Sequence, residues 1–120
     1  MSLTPKLLSF AVLMALGNTA AAGANNQAAV ERALGQLQAR GAAAHAAASD
    51  RFTARDVIVD ANGNEHVRFE RSYAGLPVIG GDFVVHSRGG AMQSVSQTLN
   101  SAARPDTRPS LGADEAVERA

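Results

Sequence analysis

The spacing of apolar residues predicts a helix in the first half of the chain. After residue 25, four apolar side chains follow the i, i+3, i+4, i+7 spacing of an amphipathic helix: Val30, Ala33, Leu34 and Leu37. Asn26 is the expected N-cap and Gly41 the expected end, and the helix is expected to pack or fray at the edge of a domain. The following AAAHAAASD segment lacks a large apolar anchor, so we expect a mobile piece or a loose extra turn.

From Phe52 the period becomes that of a strand, and residues 60–64 (DANGN) give a strong hairpin signal. A two-residue Asn62-Gly63 loop would pair Ile58 with Val67. A three-residue loop with Gly63 in the left-handed conformation would instead pair Val57 with Val67, and a shift by one residue moves side chains across the sheet. We favour the second register because it collects four apolar side chains on one face: Val57, Val59, Val67 and Phe69.

Two further strands are predicted within residues 78–86 and 92–99. The expected fold is therefore α+β, a small antiparallel sheet of about four strands with an N-terminal helix. The predicted core is thin for a domain of this size. It comprises Phe52, Val57, Val59, Val67, Phe69, Tyr73, Leu76, Val78, Ile79, Phe83, Val85, Met92, Val95 and Leu99.

The N-terminus has the layout of a secretory signal peptide. A short, weakly basic start precedes the apolar run LLSFAVLMAL, and Ala22-Gly23-Ala24 gives a small-x-small cleavage pattern. The run is about half of the roughly 20 residues that a spanning helix requires, so we expect cleavage after residue 24, export to the periplasm or beyond, and no stable membrane span. An uncleaved anchor is the alternative.

Length and composition limit the chain to one small domain. It has 120 residues, no cysteine and a formal net charge of zero, which gives no electrostatic reason to expect a nucleic-acid partner. Without disulfides, stability must come from packing or from a partner. Residues 102–109 contain two prolines without periodicity and predict a linker, and residues 110–120 begin like a helix and stop. We therefore expect the chain to be the front of something longer.

The sequence offers weak candidates for catalysis. Gly75 to Asp82 has the glycine spacing of a phosphate-binding loop, but Gly81 and Asp82 replace its lysine and hydroxyl residue, and a carboxylate would repel phosphate. No H-E-x-x-H zinc helix, G-x-S-x-G elbow or cysteine nucleophile is present. His66 and His86 are expected to be hydrogen-bonded strand residues rather than metal ligands. Arg68, Glu70 and Arg71 form either a solubilising charged face or a partner-recognition surface.

A longer pattern resembles a known family. From Asp60 to His86 the chain carries D-x-x-G-x-x-H-V-R-F-x-x-x-Y-x-G-L-P-V-x-G-G-D-x-V-V-H, which resembles the fungalysin/thermolysin propeptide (FTP) domain over about residues 52–99. Residues 110–120 resemble the opening helix of the PepSY domain found in such pro-regions. The expected organisation is a signal peptide (1–24), a helical segment (25–50), an FTP-like domain (51–101), a linker (102–109) and a truncated PepSY start (110–120).

The resemblance implies the propeptide of a secreted thermolysin-like zinc metalloprotease, which inhibits the catalytic domain and assists its folding. Its partners would be that catalytic domain and the rest of the pro-region; the chain itself would hold no cofactor, with zinc only in the missing catalytic part. Alternatives are a free-standing exported binding module or protease inhibitor, or a truncated gene product. Candidate partner contacts are His66, Arg68, Arg71, Tyr73, Gly75, Pro77, Gly80, Gly81, Asp82 and His86.

Overall fold

The computed structural model describes residues 17–120, with side chains described from residue 23 onward. The predicted signal peptide, residues 1–24, therefore lies mostly outside the described residues. Within the described part of the chain, no helix combines the length and apolarity needed to cross a membrane.

The chain forms a helix, a sheet and a short terminal helix. The elements are α1 Gly17–Ala39, a 3₁₀ turn Gly41–Ala44, β1 Asp50–Val59, β2 Glu65–Tyr73, β3 Leu76–Pro77, β4 Phe83–Arg88, β5 Ala91–Gln97 and α2 Ala113–Arg119. The sheet is antiparallel with the order β1-β2-β4-β5, and the two-residue β3 pairs with β2. This confirms the predicted α+β class, with one short strand more than expected.

The β1–β2 hairpin has the predicted three-residue register. Val57 pairs with Val67, and the amide of Asp60 donates to the carbonyl of Asn64 at 3.0 Å. Gly63 has a φ of 81°, in the left-handed region that glycine adopts without a steric penalty. The Asp60 carboxylate also accepts from the amides of Asn62 and Asn64, at 2.9 and 3.0 Å, so a local hydrogen-bond network fixes the turn.

Both edge strands carry an irregularity. The β1–β2 register shifts between Ala54 and Asp56, and the β4–β5 register shifts where His86 pairs with Ser94 but Ser87 pairs with Met92. Bulges twist an edge strand locally and interrupt its row of hydrogen-bonding groups. The two edges of this sheet are therefore poor templates for pairing with another chain.

Helix α1 packs against one face of the sheet through small residues. Ala29, Ala33 and Leu37 are buried at intervals of one helical turn, and the opposing side chains are mainly those of Val67, Phe69, Phe83 and Val85. Arg32 fastens the helix to β2, because its guanidinium donates to Glu65 at 2.9 and 2.5 Å. The prediction that Asn26 caps the helix is wrong, since α1 already begins at Gly17.

Three predicted core residues are exposed instead. Val59 is 50% exposed, Leu76 54% and Ile79 93%. Val59 ends its strand beside the turn, while Ile79 lies in a turn, where the alternation of a strand no longer applies. Conversely, the alanine-rich segment contributes a 3₁₀ turn whose Ala44 is fully buried, which agrees with the expected extra turn rather than with a mobile piece.

Candidate docking surface

The predicted contact residues separate onto two faces of β2. Val67, Phe69 and Arg71 are buried, whereas Arg68 and Glu70 between them are exposed. This alternation follows from the two-residue period of a strand. Arg71 therefore points into the domain and Arg68 away from it.

Arg71, one of the predicted contact residues, is held by partners inside the domain. Its side chain is 0% exposed, and its guanidinium donates to Asp50 at 2.8 Å, to the carbonyl of Ala44 at 2.6 Å and to the carbonyl of Gly81 at 3.1 Å. The guanidinium carbon also lies 4.9 Å from the centroid of the Phe83 ring. A buried charge needs such partners, because leaving it unpaired is strongly unfavourable.

A second arginine, Arg104 in the predicted linker, also donates hydrogen bonds to Asp50. Arg104 donates to the two carboxylate oxygens of Asp50 at 2.7 and 3.1 Å, and to the carbonyl of His45 at 2.9 Å. Burial alone raises the pKa of Asp50, but the hydrogen bonds from Arg104, the Ala47 amide and Arg71 together lower it below its usual value. The first residues of the linker are thus attached to the domain.

Tyr73 strengthens this attachment. Its hydroxyl donates to the carbonyl of Pro105 at 3.1 Å. Tyr73 therefore contacts the exit segment, which we define as residues 98–112 between β5 and α2.

The β3–β4 loop, residues 78–82, is a tight turn that accepts a hydrogen bond from the buried Arg71 side chain. The Gly81 amide donates to the Val78 carbonyl at 3.0 Å, and Gly80 has a φ of 72°. Gly81 is buried, and a Cβ on it would lie 2.7 Å from Cγ1 of Val78, so only glycine fits there without a shift. The turn exposes Ile79 at its tip.

The other predicted glycine and proline shape the approach to this loop. Gly75 has a φ of 80° in the turn between β2 and β3, and Pro77 pairs with Ser72 within β3. Both residues are exposed. They lie where the chain reverses after β2 and runs back antiparallel to it.

Arg68 and Asp82 form an ion pair beside the loop. Their nearest side-chain atoms are 2.8 Å apart, with the side chains 57% and 43% exposed. An exposed pair of this kind contributes little to stability. Its two charges are accessible to a partner.

His66 and His86 face each other across β2 and β4. Their Nδ1 atoms lie 2.7 Å apart, and the outer nitrogens contact Asp60 at 3.4 Å and Ser96 at 2.7 Å. One Nδ1 must donate and the other accept, so the pair requires at least one neutral ring. Burial lowers the pKa of His86, and the neighbouring His66 lowers it further.

This surface carries charged, imidazole and apolar groups. Among residues 17–120, no cluster of three or more histidine, aspartate or glutamate side chains is placed to share a metal ion. The predicted residues that do lie together at the surface are an ion pair, a histidine pair and an apolar loop.

Sequence reasoning missed Asp50 and Arg104. The burial of Arg71, in contrast, could have been predicted. It lies two positions after Phe69 and four after Val67, so the two-residue period of a strand places it on the same buried face. No local signal connects Asp50 to Arg104, since 54 positions separate them.

Comparisons with known proteins agree with the resemblance described above. Residues 50–99 match the family model of the Fungalysin/Thermolysin Propeptide Motif. The Transglutaminase-activating metalloprotease of Streptomyces mobaraensis is 41% identical over 75 residues, which cover 61% of this chain and 10% of that protein. No solved structure matches the chain. The stretch from residue 50 to residue 99 belongs to the fungalysin/thermolysin propeptide family.

Proposed function

We propose that this chain is the propeptide region of an exported thermolysin-like metalloprotease precursor, in which it inhibits the catalytic domain and assists its folding. The propeptide match over residues 50–99 carries this proposal, and the identity to a metalloprotease supports it. Peptidase chemistry and its zinc then belong to the catalytic domain.

The proposed contact surface is the β3–β4 loop with its neighbours on the open side of the sheet. It includes Arg68, Asp82, Gly75, Pro77 and Gly80, with His66 and His86 beside them. Gly81 and Arg71 support it from beneath, and Tyr73 connects it to the exit segment. A propeptide is synthesised joined to its partner, so a high effective concentration makes a modest interface sufficient.

The rest of the chain has a place in the same proposal. Residues 1–24 would direct export and be removed, which N-terminal sequencing of the exported product tests. An intact Met1, or a start upstream of Gly23, would contradict that removal. Residues 110–120 would begin a PepSY-like domain. In the structure, α2 has no buried residue, and a helix this short needs something to pack on.

Binding to a catalytic domain tests the proposal. We would measure calorimetrically the binding of the chain to the catalytic domain of the Streptomyces mobaraensis metalloprotease, and record peptide hydrolysis at the same time. We expect weak binding in trans with loss of hydrolysis, and stronger inhibition when the two are fused. No binding or inhibition, even in the fusion, would overturn the proposal. Hydrolysis by this chain alone would contradict its non-catalytic role.

A further inference from the structure

Residues 76–79 form an apolar segment that is largely exposed to solvent at one edge of the sheet. Leu76, Pro77 and Ile79 are exposed and Val78 is half-buried, and Ile79 is the most exposed large apolar side chain described, at 93%. A single exposed apolar residue is ordinary on a protein surface. Four consecutive apolar residues, three of them exposed, are a concentrated apolar feature in a small domain.

The fold holds this segment in one conformation. The carbonyl of Arg71 accepts from the Val78 amide at 3.0 Å, and the Arg71 guanidinium donates to the Gly81 carbonyl at 3.1 Å. The Val78–Gly81 turn bond lies between these two attachments. A fully buried arginine therefore clamps both ends of the turn that exposes Ile79.

A clamped apolar tip suits insertion into a pocket. Binding by an ordered loop avoids the entropy loss of fixing a flexible one. The strongest contributors to interfaces are a few side chains in dry pockets, surrounded by polar residues that exclude water. Ile79 has this setting, because the exposed Arg68–Asp82 ion pair lies beside the loop.

We propose that Ile79 is the anchor of the propeptide interface and enters an apolar pocket on the metallopeptidase catalytic domain. This inference rests on the function proposed above. The occupant follows from the comparison, since the similar region covers 10% of a metalloprotease and the partner domain would lie in the same precursor. The polar rim of that pocket would meet Arg68 and Asp82.

Three variants of the full chain test the anchor against the same Streptomyces mobaraensis catalytic domain. Ile79→Asp is expected to weaken binding at least tenfold, because a carboxylate resists transfer into an apolar pocket. Ile79→Leu keeps the apolar volume and should bind within about threefold of the unaltered chain. The matched control is Val59→Asp, since Val59 is 50% exposed and pairs with Glu65, which contacts Arg32 on the helix side of the sheet. It should bind within about twofold.

The outcomes separate the two proposals. Binding by the unaltered chain with no loss in Ile79→Asp overturns the anchor and leaves the propeptide function standing. Failure of the unaltered chain to bind, in trans and in the fusion, overturns the function and the anchor with it. Equal losses in Ile79→Asp and Val59→Asp would show a general charge effect and also contradict the anchor. Thermal melting of each variant checks that the domain remains folded.

Discussion

Arg104 Nη2 lies 2.7 Å from Oδ2 of Asp50, although 54 positions separate the two residues in the sequence. Asp50 opens β1, and Arg104 lies five residues beyond the matched region, which ends at residue 99. Because Arg71 of β2 donates to the same oxygen, one buried carboxylate joins two strands and the exit segment. The folded unit therefore extends beyond the matched region.

Replacing Arg104 should destabilise the domain. Arg104→Ala removes two hydrogen bonds to a buried carboxylate, and hydrogen bonds to charged groups contribute about 1.5–3 kcal/mol each. Since Asp50 keeps Arg71, we expect a loss at the lower end of that range for two bonds, about 3 kcal/mol in the free energy of unfolding, measured by urea denaturation.

Arg108→Ala is the matched control in the same segment. Its side chain is 92% exposed and its nearest acidic contact, Asp106, is 3.9 Å away, so its removal should change stability by less than about 0.5 kcal/mol. Equal effects of the two substitutions would show that the Arg104 attachment contributes nothing.

The hairpin and the fold class could be predicted because their determinants are local. Asp60 and Gly63 fix the turn, and the requirement to bury Val57 with Val67 selects the register. The helix face was predicted for the same reason, since its apolar period is contained within α1.

The buried ion network and the exposed loop depend on tertiary contacts. Nothing local shows that Asp50 meets Arg104, and sequence alone treats the exit segment as a linker. Ile79 was expected in the core because a strand was predicted within residues 78–86. The clamp from Arg71 turns that run into a loop instead.

Replacing Arg71 even with lysine should destabilise the domain. Arg71→Lys keeps the charge but cannot reach Asp50, Ala44 and Gly81 together, because an ammonium lacks the planar fork of a guanidinium. We expect a loss of about 2 kcal/mol or more in the free energy of unfolding. Arg68→Lys, on the exposed face of the same strand, should cost less than about 0.5 kcal/mol. Similar urea midpoints for the two variants would contradict the assigned role of Arg71.

Gly63 should be replaceable only by residues that accept a positive φ. A Cβ at this position meets no atom within 4 Å, so any penalty comes from the backbone conformation. Gly63→Val should therefore cost about 1–2 kcal/mol, whereas Gly63→Asn should cost less because asparagine enters the left-handed region more readily. Thermal unfolding of both variants measures the difference. Equal destabilisation by valine and asparagine would contradict the assignment of the penalty to the positive φ.

Acid should weaken the domain through the His66–His86 pair. Burial and the neighbouring His66 lower the pKa of folded His86, so below the unfolded value of about 6.5 the unfolded chain binds protons more readily than the folded one. The stability that His86 contributes is thus present above about pH 6.5 and is lost as the pH falls below it. We expect the free energy of unfolding, measured in urea, to decrease from pH 8 to pH 5.

His86→Gln identifies the source of that pH dependence. The variant lacks the titrating ring and should show a flatter profile between pH 8 and pH 5. Asp60, Glu65 and Asp50 have lowered pKa values, so folding favours their charged forms and their contributions change mainly below about pH 5. His45→Asn is the control, because asparagine tolerates the φ of 50° at that position and the exchange removes a histidine outside the pair. An unchanged slope in His86→Gln, or an equal flattening in His45→Asn, would show that the facing histidines do not cause the acid sensitivity.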